Sequence, residues 1–282
     1  MNTYSVDLPY LLLYKAVSWE VLTVLRERRQ QTILDELERA GSVSVAALSR
    51  RLGVSDMTVR RDLDDLSARS LLRKVHGGAV PVPKTAAEPH FVQKQRLNRA
   101  EKRAIARAAM LHVNEGDTVA FSAGTTTWQI AAALKRDLGS MTFITNSTNI
   151  ALVLQENGWE QIVLSGGMFR TPSDALVGPF ADRTIRTLNA DVLFLGVHGI
   201  HPEAGLTTPN VAEAETDGRL VEAAQKVVVV ADHSKVGVVA LAKIAPLSKV
   251  DVFVTDEGAD AETLREMEFA GVRVIVAGPE AL

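Results

Sequence analysis

The sequence predicts two folds in series: a small winged helix-turn-helix, then an α/β domain built on a parallel sheet. Three observations predict this. Residues 28–66 carry three helical apolar stripes separated by short turns. The stretch "LLRKVHGGAV" that follows reads as a strand, a Gly-Gly turn and a returning strand. In the remainder, short continuous apolar runs alternate with helical patterns, as strands buried on both faces require.

Length and composition allow that reading. The chain has 282 residues, of which 46% are hydrophobic and 23% charged, enough for two modest domains with real cores. Aromatics are 5%, which disfavours a single-strand binder built on stacked bases. There is no cysteine, so disulfides, cysteine zinc sites and thiol catalysis are excluded. Residues 26–80 carry eleven Lys/Arg against eight Asp/Glu, whereas residues 81–282 carry nineteen against twenty-four. A basic small part on an acidic large part implies two jobs. No apolar run reaches the ~18 residues of a membrane span. Residues 1–25 contain "LPYLLLYKAVSWEVL", without the basic start and A-x-A site of a secretory peptide. They read as an added helix or as the product of a start site placed upstream of Val24, where the pattern begins.

In the first domain, taken as 26–81, residues 28–40 pattern as a helix with Ile33, Leu34 and Leu37 on one face and Gly41 as its stop. Ser44 is placed to cap a second helix, with Val45, Leu48 and Leu52 inward and Gly53 in the left-handed position after it. Ser55 caps a third, with Val59, Leu63 and Leu66 inward. Two helices joined by a tight turn have helix-turn-helix spacing, and "RKVHGG" is a basic wing. Residues 82–97 read as a linker. Asn98 and Glu101 have capping-box spacing at the start of the next helix.

The second domain, taken as 98–282, shows seven strand-like runs: 118–121, 142–145, 161–164, 191–196, 227–231, 251–255 and 273–276. The unusual polar stretches sit just after five of them, where ligands of open α/β sheets bind. Gly124, Thr125, Thr126 and Thr127 offer backbone N–H groups and hydroxyls at a helix start, a site for an anion such as a phosphate. Gly166 and Gly167 permit close backbone approach, Arg170 adds a guanidinium and Lys235 a point charge. Asn146, Thr207 and Thr208 can read hydroxyls. Together they suit a small, phosphorylated, polyhydroxylated ligand. There is no G-x-G-x-x-G, Walker A or G-x-S-x-G element, so no cofactor and no catalytic residue is assigned. His198, His201 and His233 lack an obvious third metal ligand and are read as structural or ligand-facing.

On the third helix of the first domain, Thr58, Arg60, Arg61 and Asp64 are left outside. Arg60–Asp64 and Arg61–Asp65 are i,i+4 pairs and would by themselves be surface decoration. The preceding helix, the tight turn and the basic wing favour a recognition helix for the major groove. With those residues in view, 29–80 resembles the winged helix-turn-helix of DeoR/GlpR-type transcriptional repressors. "GDTVAFSAGTTT", "TNS", "SGGMFR", "ALVGPFA", "FLGVHGI", "GLTTPN" and "ADHSKVG" are similar to that family's sensor domain. The resemblance implies a cytosolic repressor whose sensor domain has the fold of ribose-phosphate isomerase, binds a phosphorylated sugar or related metabolite, and forms dimers or tetramers. Carried over by motif, it implies that Ser55, Thr58, Arg60 and Arg61, with Lys74 and His76 on the wing, face double-stranded operator DNA. It places the glycine-threonine loop, Asn146, Gly166, Gly167, Thr207, Thr208 and Lys235 against the effector. Ser122 stands where many relatives have an acidic residue, and His201 where many have Asp, which points to an uncommon effector.

Two other functions compete. A sugar-phosphate isomerase with a DNA-binding appendage needs a base near the carbon that loses its proton, for which Asp232 or Glu203 is available. A repressor answering to an unphosphorylated metabolite is opposed by the glycine-threonine loop and Lys235.

Overall fold

The computed structural model describes residues 26, 28–37, 39–68, 71–81, 90–134 and 139–278. The N-terminal extension 1–25 and the first half of the expected linker, 82–89, lie outside the described residues. The chain divides into two units, Met1–Pro89 and His90–Leu282.

The first unit follows its apolar spacing. Helix α1 (residues 28–37) buries Ile33 and Leu37 and stops at Gly41, whose N–H donates to Leu37 O (2.9 Å). After the short strand β1 (Val43–Ser44), helix α2 (Val45–Leu52) is capped as expected, Ser44 Oγ accepting from Ala47 N–H (3.2 Å). Gly53 ends it in the left-handed region at φ 65°. Helix α3 (Asp56–Ala68) starts on Ser55, whose Oγ accepts from Thr58 N–H (3.2 Å). Val59, Leu63 and Leu66 are fully buried with Leu48 and Leu72 in one core. Strands β2 (Arg73–Val75) and β3 (Gly78–Val80) form the wing, and β3 also pairs with β1. At that crossing Gly78 lies so close to β1 that a Cβ would sit 2.0 Å from Val43 O, so no other residue closes this sheet without moving a strand.

The second unit opens with α4 (Phe91–Arg96) and α5 (Arg99–Met110). Part of the expected linker is therefore a helix. Its sheet elements then run β4 (Thr118–Phe121), α6 (Thr125–Ala133), β5 (Thr142–Thr145), α7 (Thr148–Glu156) and β6 (Gln161–Leu164). A two-stranded ribbon, β7 (Met168–Arg170) and β8 (Ala175–Val177), leads to α8 (Pro179–Ile185) and β9 (Ala190–Gly196). There follow β10 (Gly199–His201), β11 (Gly205–Thr208), α9 (Val211–Ala223), β12 (Ala224–Val230), β13 (Ala242–Ala245), β14 (Val252–Asp256), α10 (Ala261–Phe269) and β15 (Arg273–Ala277).

The seven apolar runs become one seven-stranded sheet of order β15-β14-β12-β9-β4-β5-β6, parallel at every pairing. Alternate residues serve opposite cores. Phe121, Phe143 and Phe194 pack against α5, α6 and α7, with Phe121 and Phe194 ring centres 5.4 Å apart. Ala120, Leu193, Leu195, Val229 and Phe253 pack against α8, α9 and α10. A strand with two cores needs apolar residues on both faces, hence the continuous runs. Strands β7, β10 and β11 fall in the polar stretches that follow the sheet strands, and together with β8 and β13 they form a ribbon and a small sheet outside the seven predicted strands.

Strand order fixes one special place. The chain starts at β4, builds outward through β5 and β6, then returns to build β9, β12, β14 and β15 on the other side. The order reverses between β4 and β9, and a crevice opens at such a switch point because adjacent loops leave in opposite directions.

Candidate DNA-binding helix and effector site

On α3, Asp62, Asp64 and Asp65 are tied down, whereas the two arginines are not. Asp62 is buried and receives a fork from Arg29, Nε at 2.5 Å and Nη2 at 3.1 Å, with Gln30 Nε2 at 3.4 Å. Asp65 accepts from Gln30 Nε2 (2.9 Å) and pairs with Arg26 Nη2 (3.3 Å). Asp64 pairs across to Lys74 on the wing. The i,i+4 partners considered for Arg60 and Arg61 are thus engaged elsewhere. Both arginines are exposed, and neither makes a hydrogen bond or ion pair among the described residues. Thr58 Oγ1 lies 3.0 Å from Ser55 Oγ at the start of the helix, and His76 is exposed at the tip of the wing. Asp62 was missed as a functional support, although Val59, Asp62, Leu63 and Leu66 share one helix face.

In the second unit the switch point joins the loops after β4, β5 and β9. Ser122 Oγ accepts from Gly196 N–H (2.9 Å), holding β4 to β9. Asn146 Oδ1 accepts from Ala123 N–H (2.7 Å), holding β4 to β5. Because that partner is a donor, the amide can point only one way, and Nδ2 is the end left over: it is buried and unpartnered. Helix α6 starts here on Gly124 with no side-chain cap, and its first intrahelical bond is Trp128 N–H to Gly124 O (3.0 Å). The N–H groups of residues 125–127 take no acceptor among the described residues, and neither do the hydroxyls of Thr125 and Thr126, both mostly buried. Stranded donors at a helix start create a positive end.

Other expected effector residues are spent inside the fold. Thr127 Oγ1 donates to Ser122 O (2.8 Å) and lies 2.9 Å from Gly124 O. Thr207 Oγ1 accepts from Ala240 N–H (3.0 Å) and donates to Gly199 O (3.3 Å). Gly166 makes a turn at φ 67°, whereas Gly167 faces protein: a Cβ there would lie 2.8 Å from Val177 O. Arg170 Nη1 donates to Glu213 Oε1 (2.9 Å) and Ser173 Oγ (3.1 Å). Glu213 Oε2 accepts from Thr208 Oγ1 (3.0 Å), which also lies 3.3 Å from His198 Nδ1. The ribbon is fastened beside Asn146 by Asp174, whose carboxylate accepts from Ser147 Oγ and Thr148 Oγ1 (2.5 Å each) and from Asn149 N–H (2.9 Å).

After β12 lies a cluster that the sequence did not reveal. Asp232 is buried and accepts from Ser234 Oγ (2.5 Å), Ser234 N–H (3.1 Å) and Asn98 Nδ2 (3.0 Å). Lys102, also buried, lies 3.9 Å from it and donates to Lys94 O (2.7 Å) and Leu97 O (2.6 Å). The expected capping box at Asn98 is replaced: Asn98 has a left-handed backbone at φ 47°, makes no cap bond, and spends its amide on Asp232. Burial brings the Lys102 amine down to about 8, against the pull of Asp232 and helped by the repulsion of Lys235 and Lys94. Burial would raise the Asp232 carboxyl, but Lys235, Lys102 and the bonds from Ser234 and Asn98 outweigh it and hold it below its ordinary value. A carboxylate held low, with three donors on Oδ1, is a weak base, which counts against Asp232 as the base of an isomerase. Lys235 makes no hydrogen bond or ion pair among the described residues.

The three histidines have separate partners. His198 meets Thr208, His201 Nδ1 accepts from Glu203 N–H (3.1 Å), and His233 Nδ1 lies 2.8 Å from Asp256 Oδ2. A cavity of about 310 Å³ beside His233 and Asp256, lined also by Arg103 and Arg107, contains none of the expected effector residues.

Comparison with known proteins agrees with both units. Residues 29–85 match the DeoR-like helix-turn-helix domain and residues 97–257 the DeoR C terminal sensor domain. The chain is 41% identical over 252 residues to the HTH-type transcriptional regulator GlpR of Haloferax volcanii, covering 89% of this chain and 98% of that one. It is 36% identical over 259 residues to a putative aga operon transcriptional repressor of Escherichia coli O157:H7, covering 91% and 96%. Among solved structures, ribose 5-phosphate isomerase A from Methanocaldococcus jannaschii matches with a TM-score of 0.36 at 15% identity, over 48% of this chain and 53% of that one. The translation initiation factor eIF-2B of Pyrococcus horikoshii OT3 matches with a TM-score of 0.40 at 16% identity, over 78% and 75%. With a family helix-turn-helix and a family sensor domain matched in order, and relatives aligned over nearly their whole length, the chain belongs to the DeoR family of transcriptional regulators.

Proposed function

We propose that this protein represses genes of carbohydrate metabolism and is controlled by a phosphorylated sugar bound at the switch point. The observation that carries the sensor half is the uncapped start of α6 beside the unpartnered amide of Asn146. Backbone N–H groups of α6 and the hydroxyls of Thr125 and Thr126 take the phosphate oxygens, and Asn146 Nδ2 donates to an oxygen of the sugar. Within the cluster after β12, Lys102 and Lys235 exceed Asp232 by one charge, which favours an anion beside them. The DNA half is supported by Arg60 and Arg61, held outward on a helix that Asp62 anchors from within. Two copies of the chain present two α3 helices to half-sites one helical turn or a multiple apart. The repressor in the name of the Escherichia coli relative supports the direction of control.

Fluorescence anisotropy on DNA from upstream of its own gene, at several salt concentrations and with a panel of phosphorylated sugars, tests both halves. Tight, steeply salt-dependent binding that one sugar phosphate weakens is expected. Binding no tighter than to a scrambled duplex, together with turnover of a sugar phosphate, would replace this reading by the isomerase.

A further inference from the structure

Helix α4 is the first element of the second unit, the stretch of that unit closest along the chain to the DNA-binding unit. It packs on α6, whose start is the proposed anion site. Its far end is held by a single buried side chain: Lys102 Nζ donates to Lys94 O (2.7 Å) and Leu97 O (2.6 Å). An ammonium has three donors, and the third finds no acceptor within hydrogen-bond distance among the described residues, since Asp232 stands off at 3.9 Å. The next residue in the corner, Asn98, is left-handed at φ 47°, a conformation that residues other than glycine adopt only occasionally. Its amide bond to Asp232 (3.0 Å) holds it there. Lys235, three residues beyond Asp232, faces the same cluster.

We infer that the corner Leu97–Asn98, held by Lys102 and Asp232, is the relay through which an anion at the switch point loosens α4. This rests on the proposed effector site. An arriving anion recruits the spare donor of Lys102 and draws its ammonium away from Lys94 O and Leu97 O. Neutralising Lys235 also weakens the hold on Asp232, and hence on Asn98. The corner then loses the bonds that keep its left-handed turn, and α4 loosens while the sheet stays intact. No bond is made or broken covalently.

Hydrogen exchange followed by mass spectrometry on the full chain tests this, with inorganic phosphate, ribose 5-phosphate and glucose 6-phosphate as probes. In the native protein a bound probe slows exchange at residues 123–128 and speeds it at least tenfold at residues 91–98. In Lys102→Met and in Asn98→Gly, which keeps the backbone angle and deletes only the amide, residues 91–98 exchange fast without any probe. Protection at 123–128 persists in Asn98→Gly, so in that variant the response at α4 is lost while binding remains. Protection at 123–128 with no change at 91–98 in the native protein overturns the relay and leaves the effector site standing. No protection at 123–128 by any probe refutes the effector site and the relay with it.

Discussion

Replacing Asp62 by alanine separates the support of α3 from its surface. Asp62 is 2% exposed and its partner Arg29 is 20% exposed at the side chain. Removing the carboxylate strands a mostly buried guanidinium that had two bonds to it. Breaking a fully buried pair costs ~3–5 kcal/mol. Arg29 can recover some water, so about 3 kcal/mol is expected here. A unit of this size holds only a few kcal/mol, at roughly 0.05–0.15 kcal/mol per residue. Most of its margin would go. The control is Asp64→Ala, which removes a pair whose members are 60% and 42% exposed and costs under about 0.5 kcal/mol. Fluorescence reports poorly on this unit, because Trp128 and Trp159 lie in the second one and Trp19 precedes α1. Hydrogen exchange of the slowest amides in α1 and α3 is the better assay. Asp62→Ala should accelerate them by about a hundredfold and Asp64→Ala by less than about threefold, at ~1.4 kcal/mol per factor of ten. Equal acceleration in the two variants would refute the claim that burial, rather than charge pairing as such, makes Asp62 matter.

Arg60→Ala should weaken operator binding by roughly 1–3 kcal/mol if the guanidinium reads a guanine, or lower the salt slope by about one if it holds a phosphate; anisotropy across a salt series distinguishes these, and no change in either makes Arg60 surface decoration. Asn146→Asp keeps the acceptor for Ala123 N–H but turns the spare donor into an anion, so calorimetry should show sugar-phosphate affinity reduced more than tenfold while operator binding survives. Burial, helped by Glu213, raises the Asp217 carboxyl well above its ordinary value, so its contribution to stability is full below the unfolded-state value and lost as pH rises through the folded one. Asp217→Asn should therefore raise stability at pH 7 and leave it unchanged in acid, as read by thermal unfolding at both. Lys102 has the opposite sense: with its amine lowered to about 8 from 10.5, the unfolded chain binds a proton that the folded one has shed, so stability rises between those values by about 3 kcal/mol, a rise that Lys102→Met should abolish in urea unfolding.

What the sequence could and could not reveal follows from the range of each interaction. The seven sheet strands were legible because burial on both faces writes itself into consecutive residues such as Val227–Val230. The helix caps at Ser44 and Ser55 were legible because their partners lie three residues away. Asp62 was legible in principle, since helical spacing alone turns it inward with Val59 and Leu66. The candidate site is legible by position, as the residues following each strand, but the availability of its side chains is not. Thr126 and Thr127 are neighbours of one type, and only the fold decides that the second spends its hydroxyl on Ser122 O. Asn98 marks the limit of local rules. Its spacing to Glu101 predicts a cap, worth ~1 kcal/mol. Folding brings Asp232 to it from 134 residues away, with Lys102 and Lys235 beside it. A buried carboxylate left short of donors costs more than an exposed helix end left uncapped, because water can serve the helix end and cannot reach the carboxylate. The amide therefore turns to Asp232, and the backbone at Asn98 accepts a left-handed angle to let it.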